Sequence, residues 1–502
     1  MLKADFWALD DHELVRFLPD GRTPIEFTRI PRTLVEKTEV GKTFSATRYR
    51  PTYYILRMCE LWLWHLDARK WFLARFLTVL ISIAIFCYLS EYLVGPLNGA
   101  LLTIAALTPR YWGDTWGRTG PAEQYATLGL ALLILGIVIA LTQKRRRASF
   151  SLRSAAIWAI SIGTILTTGS KEIFLPVAFV PLAFLAIPSL RRAHPIRSLA
   201  LLSFALAYSA LIAWTLFFGL RANHGTTAYG AQIGGDYAIA TLTRALSIAA
   251  PWSAAALLAI LASLFLPSAR GNPNAFLRSL RLFMLAAIGA LALLTWIVFF
   301  YAGSWPTYQY SYDFPGLLLA PFSIGLILWF FLQSVAYNID DTRWRIALAA
   351  FATIGLLLFL KQQSFPSRTI LSDYANRSHN YQQDLTTIAL HAKKCPTIPI
   401  IFSVAHPLDG ETVFASLQFL RAKSVSNPCF IIGPDLLNIA GTNSHWQGAA
   451  NELIAMESGS RGFSPNLNLQ ATVLRVGHSF LVKVNEQAPG FPSSQELQLR
   501  WR

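Results

Sequence analysis

Ten apolar segments divide this chain, at roughly 72–93, 95–110, 124–141, 154–168, 172–188, 198–218, 244–266, 282–301, 315–337 and 344–361. A helix crossing the hydrocarbon of a bilayer needs about twenty apolar residues, with a range of ~17–25. The second, fourth and fifth segments are short. They fit a membrane only if they pack inside a bundle, or if the polar turns between them line a cavity. With 54% hydrophobic and 14% charged residues, the chain reads as an all-α polytopic membrane bundle rather than a soluble enzyme.

The cations orient the bundle. Loops 142–153, 189–197, 267–281 and 338–345 hold five, three, three and two Lys or Arg. The alternate loops hold only Arg110, Arg118, Lys171 and Arg221. The positive-inside rule makes the first set cytoplasmic, so residues 1–71 and 362–502 both lie on the extracytoplasmic side of a bacterial inner membrane. The net charge of +16 comes from short runs such as "QKRRRASFSLR", which suit anionic headgroups, and not from the continuous basic face that nucleic acid requires. Residues 1–30 carry no signal peptide. An outer N-terminal segment of this length therefore leads to the expectation that one further span precedes Met1.

Three regions follow: an extracytoplasmic N-terminal segment (1–71), the transmembrane bundle (72–361), and a small C-terminal extracytoplasmic α/β domain (362–502). In the first, "RYRPTYYILRMCELWLWHL" (48–66) is apolar and aromatic with charges at Arg57 and Glu60. It reads as a helix lying in the membrane interface, with an ordinary first transmembrane turn as the alternative. In the last, strands are expected at 398–405, 428–433 and 479–485, and helices at 410–423 and 445–458. Cys395 and Cys429 fall there and are either a disulfide or two free thiols. No CxxC pair, Walker loop or GxGxxG appears.

The extracytoplasmic side gathers the chemistry. "FWALDDHELVRFL" (6–18) sets Asp10 and Asp11 ahead of His12 and Glu13. Paired carboxylates can deprotonate an attacking hydroxyl, or hold Mg²⁺ or Mn²⁺. The same acids would also serve as a plain helix cap. "TPRYWGDTWGRTGPAEQYATLGL" (108–130) carries Arg110, Asp114, Arg118 and Glu123. "TTGSKEIFLP" (167–176) puts Lys171 and Glu172 in a tight turn between two short spans, where a Lys–Glu pair is costly unless it faces a cavity. A snorkelling lysine is the plainer reading. Arg221 and His224 lie on a glycine-rich outer loop, and the aromatic loop 301–314 is suited to stacking on sugar rings or to an interfacial belt. Cations among outer-face acids point to a substrate with a phosphate.

The acidic pair, "RYRPTYY", "WGRTGPAEQ" and "SKE" together resemble the bacterial GT-C glycosyltransferases, polytopic enzymes that use polyprenyl-phosphate-linked sugars. The resemblance spans residues 6–190 by motif and the later spans by topology. It implies that Asp10 or Asp11 is the catalytic carboxylate, with a slight preference for Asp11. Lys171, Arg118 and Arg221 would neutralise the departing lipid phosphate, and Glu13, Glu172, His224 and Arg110 would support the substrate. Asp10, Asp11 and Glu13 would be the ligands of any divalent cation. The implied partners are the lipid-linked sugar, membrane lipid and a glycan, lipid or protein acceptor, with no nucleic acid. Two other readings stay open. One is a transporter or flippase of a lipid-linked glycan, although charges at mid-span are few and Glu91 is the main exception. The other is a non-catalytic subunit of an envelope complex.

Overall fold

The computed structural model describes residues 4–6, 11, 13–18, 24–42, 46–94, 110–143, 150–187, 196–224 and 366–394, short runs near 100–104, 236–243 and 415–423, and four strands. The expected spans at 244–266, 282–301, 315–337 and 344–361, the helix at 445–458, Asp10, Cys395 and Cys429 lie outside the described residues, as does most of 95–110.

Short helices α1 (Glu13–Arg16), α2 (Ile30–Lys37) and α3 (Pro51–Trp64) make up the N-terminal segment. The bundle contributes α4 (Ala68–Val94), α5 (Arg110–Trp116), α6 (Glu123–Gln143), α7 (Phe150–Ser170), α8 (Phe179–Ala186) and α9 (Ile196–Ala222). Among the described residues three helices are long and apolar enough to cross a membrane, over Ala68–Tyr92, Glu123–Ala140 and Ile196–Ala222. Ser154–Ser170 and Glu172–Ala186 are shorter apolar helices.

Helix α7 lies between α6 and α9, which accounts for its many hydroxyls. Ser161, Thr164, Thr167, Thr168 and Ser170 are fully buried. Thr164, Thr167 and Thr168 donate back to the carbonyls of Ile160, Gly163 and Thr164 at 2.8, 2.6 and 2.9 Å. Thr168 also bonds Ser209 of α9 at 3.1 Å. The three threonines satisfy their hydroxyls on their own helix, whereas the Ser161 and Ser170 oxygens find no hydrogen-bond partner among the described residues. Gly129 of α6 and Gly163 of α7 face each other so closely that a Cβ on Gly163 would stand 2.6 Å from the Gly129 carbonyl oxygen. The fifth apolar segment is not one α-helix. It starts as a 3-10 turn over Glu172–Ala178, and Pro176 has no N–H with which to continue an α-helical ladder.

Beyond the bundle, α10 (Pro366–Lys394) occupies a stretch where no element is expected from sequence. Strands β1 (Ile400–Phe402), β2 (Phe430–Ile432), β3 (Phe480–Val484) and β4 (Leu497–Leu499) form one sheet in the order β2-β1-β3-β4. β1 and β2 are parallel, with Ile400 opposite Phe430, and the other two pairings are antiparallel.

Among the described residues one apolar cluster joins the N-terminal segment to α10 and to Phe419. Phe6, Leu14, Tyr53, Met58 and Trp71 pack with Tyr381, Leu385 and Ile388 of α10 and with Phe419. Phe6 stacks on Phe419 at 5.9 Å, and the Gln382 amide donates to the Phe6 carbonyl at 3.0 Å. The core therefore crosses the sequence divisions placed after residues 71 and 361.

Candidate functional site

The four motifs that stood apart in sequence meet at one end of the bundle. Three buried interactions tie them together, and each involves a group that is expensive to bury alone.

The first interaction seats Asp11. Its side chain is fully buried, and Oδ1 accepts the backbone N–H of Thr119 at 3.0 Å and of Gly120 at 2.6 Å. Both amides belong to "WGRTGPAEQ", the loop joining α5 to α6. Charged carboxylates accept such bonds strongly, so the loop gains two charge-assisted contacts. The same dipeptide is held on its other side. Arg57 Nη1 donates to the Thr119 carbonyl at 2.5 Å, and the Tyr53 hydroxyl donates to the Gly120 carbonyl at 2.7 Å. Arg57 is itself fully buried, with its guanidinium 5.0 Å from the Trp71 ring and 5.7 Å from the Tyr53 ring. Burial works against its charge, but Tyr53, Tyr125, Glu60 and Asp11 outweigh that and hold its pKa above the ordinary value.

The second interaction is between Arg50 and Glu172. Arg50 Nε and Nη2 donate to Glu172 Oε2 and Oε1 at 2.6 and 2.8 Å, a two-pronged pair with side chains only 5% and 1% exposed. Segment 46–52, which carries "RYRP", descends between α7 and α9 to make it. Two glycines open the path. A Cβ on Gly219 would stand 1.9 Å from the Ala46 carbonyl oxygen, and one on Gly169 would stand 2.0 Å from the Thr52 hydroxyl. At the bottom Thr52 bonds the Tyr208 hydroxyl at 2.5 Å.

The third interaction is the ion pair of Lys171 with Glu123, both buried. Lys171 does not bridge to Glu172, its neighbour in the tight turn. The two are neighbours in sequence, but Lys171 stands in extended backbone while Glu172 opens the 3-10 turn. Each therefore finds its counter-ion on another element. Beside this centre, Arg75 of α4 is buried against Glu60 and Tyr125, its guanidinium 4.6 Å from the Tyr125 ring.

The remaining candidates spread outward. Arg118 is half-buried, with its guanidinium 5.6 Å from the Tyr374 ring of α10. The Tyr374 hydroxyl donates to Asp114 at 3.3 Å. Arg221 and His224 are exposed at the end of α9, where His224 has a φ of 52°. Arg110 heads α5, and Glu13 is half-buried at the start of α1. For the suggested cation set, one Asp11 oxygen already serves two amides. Among the described residues no three of His, Cys, Asp or Glu come together to hold a metal ion.

Sequence reasoning missed Arg50, Arg57 and Arg75 as members of the site. The available signal was a lone cation inside an apolar stretch, which is rarely left without a partner. Tyr53 gave no such signal.

No protein-family model matches this chain, and no curated protein matches it. Among solved structures it is similar to the crystal structure of ArnT from Cupriavidus metallidurans bound to undecaprenyl phosphate, at 12% identity over 88% of this chain and 85% of that one, with a TM-score of 0.45, a likeness too distant to decide fold or chemistry.

Proposed function

We propose that the chain is a membrane glycosyltransferase that moves a sugar from a polyprenyl-phosphate donor to a hydroxyl of a glycan, lipid or protein acceptor at the outer face of the cytoplasmic membrane. One observation carries the reading. The loop 119–123 takes the acidic segment at Thr119 and Gly120 and the Lys171 cation through Glu123, which brings an acid and a phosphate-type cation to a single structural element.

In this reading a carboxylate of the Asp10–Asp11 pair takes the proton of the acceptor hydroxyl. The freed oxygen attacks the anomeric carbon from the face opposite the lipid phosphate. The bond from that carbon to the phosphate oxygen breaks, the configuration inverts, and the lipid phosphate leaves with the electron pair. Lys171, Arg118 and Arg221 supply positive charge to the leaving group. Lys171 is held by Glu123 in the described state, so phosphate binding exchanges one anionic partner for another and does not have to desolvate a bare cation. Glu172 keeps Arg50 in place, and Glu13, His224 and Arg110 are assigned a supporting or substrate-binding role. In this reading Asp10, Asp11 and Glu13 would hold any divalent cation.

The test is an Asp10→Ala, Asp11→Ala double variant assayed with polyprenyl-phosphate-linked sugars in proteoliposomes. Insertion with loss of transfer is expected. Full transfer by that variant would sink the proposal.

A further inference from the structure

The two aspartates are chemically alike and adjacent, yet the surroundings of Asp11 are specific. The backbone of Thr119–Gly120 has two N–H groups and two carbonyls, and all four bond to side chains of the N-terminal segment. Asp11 takes both N–H groups, Arg57 one carbonyl and Tyr53 the other. Pro121 follows and α6 begins only at Glu123, so this loop has little secondary structure of its own to fix it. Buried peptide groups must find partners, and here the partners come from more than sixty residues away, at separations of 108, 109, 62 and 67. Gln124 completes the frame by donating to the carbonyls of Thr115 and Arg118 at 2.7 and 2.6 Å.

We infer that Asp11 is a positioning residue, which with Arg57 and Tyr53 clamps the Thr119–Gly120 peptides so that Arg118 and Glu123 stand in register, and that the proton-accepting role belongs to Asp10. A carboxylate with no solvent exposure, already serving two amides through one oxygen, is poorly placed to collect a proton from an incoming hydroxyl. It is well placed to fix a loop. This inference rests on the transferase reading above only for the role of Asp10. The clamp itself is a statement about the protein.

The discriminating substitution is Asp to Asn, because an amide oxygen can still accept the two N–H bonds but cannot act as a base. Asp11→Asn is expected to keep kcat within about tenfold of the native protein, since one strong acceptor becomes a weaker one. It should also keep the acidic limb of the kcat/KM–pH profile. Asp10→Asn is expected to lose transfer about a hundredfold or more and to lose that limb. Asp11→Ala should speed amide hydrogen exchange at Thr119 and Gly120, and Tyr53→Phe should do so to a smaller degree. An Asp11→Asn protein as inactive as Asp10→Asn, with native exchange in the loop, would overturn the assignment. So would unchanged exchange in Asp11→Ala. If the native protein transfers no lipid-linked sugar, the functional reading fails while the exchange measurement still decides the clamp. If Asp11→Asn does not fold, Tyr53→Phe and Arg57→Lys carry the exchange test, and native protection of Thr119 and Gly120 in both would reject it.

Discussion

Lys171 and Glu172 share a peptide bond and no salt bridge. Lys171 pairs with Glu123 at the head of α6, and Glu172 with Arg50 from the segment threaded between α7 and α9. Two adjacent charges of opposite sign thus fasten two different elements to one turn.

The Arg50–Glu172 fork should dominate local stability. Arg50→Ala leaves a buried carboxylate without its partner and is expected to cost about 3–5 kcal/mol. Arg50→Lys should recover only part of this, because an ammonium cannot meet both oxygens in the same plane. Thermal unfolding of the purified protein in detergent checks both, and an Arg50→Lys variant as stable as the native protein would contradict the two-pronged geometry.

The Lys171–Glu123 pair makes a different prediction. Glu123→Gln removes the resting counter-ion and should tighten binding of a polyprenyl phosphate while lowering stability. Lys171→Ala should weaken that binding and also destabilise the protein, leaving Glu123 buried and alone. The double variant should be more stable than the sum of the single losses, with a coupling of about 0.5–3 kcal/mol. Independent losses in a double-mutant cycle would show that the pair does not matter.

Close approach of α6 and α7 yields a third expectation. Gly163→Ala sets a methyl 2.6 Å from two backbone atoms, the Gly129 oxygen and the Leu133 nitrogen, neither of which can rotate aside. The helices must separate, at about 1–3 kcal/mol. A Tm equal to that of the native protein would refute the packing.

Alkaline pH should loosen the core around Tyr54 and Tyr381. Burial, then Glu39 and Glu13, push the Tyr54 phenol well above its ordinary value of 10.0, against a smaller opposing effect of Arg48. Burial also raises Tyr381, despite its bond to Ser416. A raised folded-state pKa means stability is intact below the unfolded value and declines as pH climbs past it. Unfolding should therefore become easier above pH 10, and Tyr54→Phe should move that onset upward. Tyrosinate absorbance followed alongside circular dichroism reads the effect, and ionisation of Tyr54 before any loosening would count against it.

How much of this was legible in the sequence depends on range. The apolar segments gave α4, α6, α7 and α9 because periodicity and length are local properties. The 3-10 turn over Glu172–Ala178 was not read from the sequence, although Pro176 lies within it. The strands at 400–402, 430–432 and 480–484 fall within apolar runs marked in advance. Helix α10 was missed because its apolar positions, Tyr381, Leu385 and Ile388, are sparse among polar residues and gain meaning only against Phe6 and Trp71. At the site, the motifs carried the residue types but not the pairing. Nothing in the sequence pointed Lys171 to Glu123, 48 positions away. Arg50 and Arg57 looked like ordinary basic residues of an interfacial segment, since their partners lie 122 and 62 positions away.

The shared core of Phe6 and α10 has a consequence for biogenesis. Asp5 bonds Ser378 and Phe6 bonds Gln382, across separations of 373 and 376 residues. While the ribosome is still making the middle of the chain, the faces of Phe6, Tyr53 and Trp71 have no α10 to cover them. Closure must wait for nearly the last quarter of synthesis, and long-range closure of this kind is slow. A nascent chain stalled before residue 366 would leave that aromatic surface uncovered.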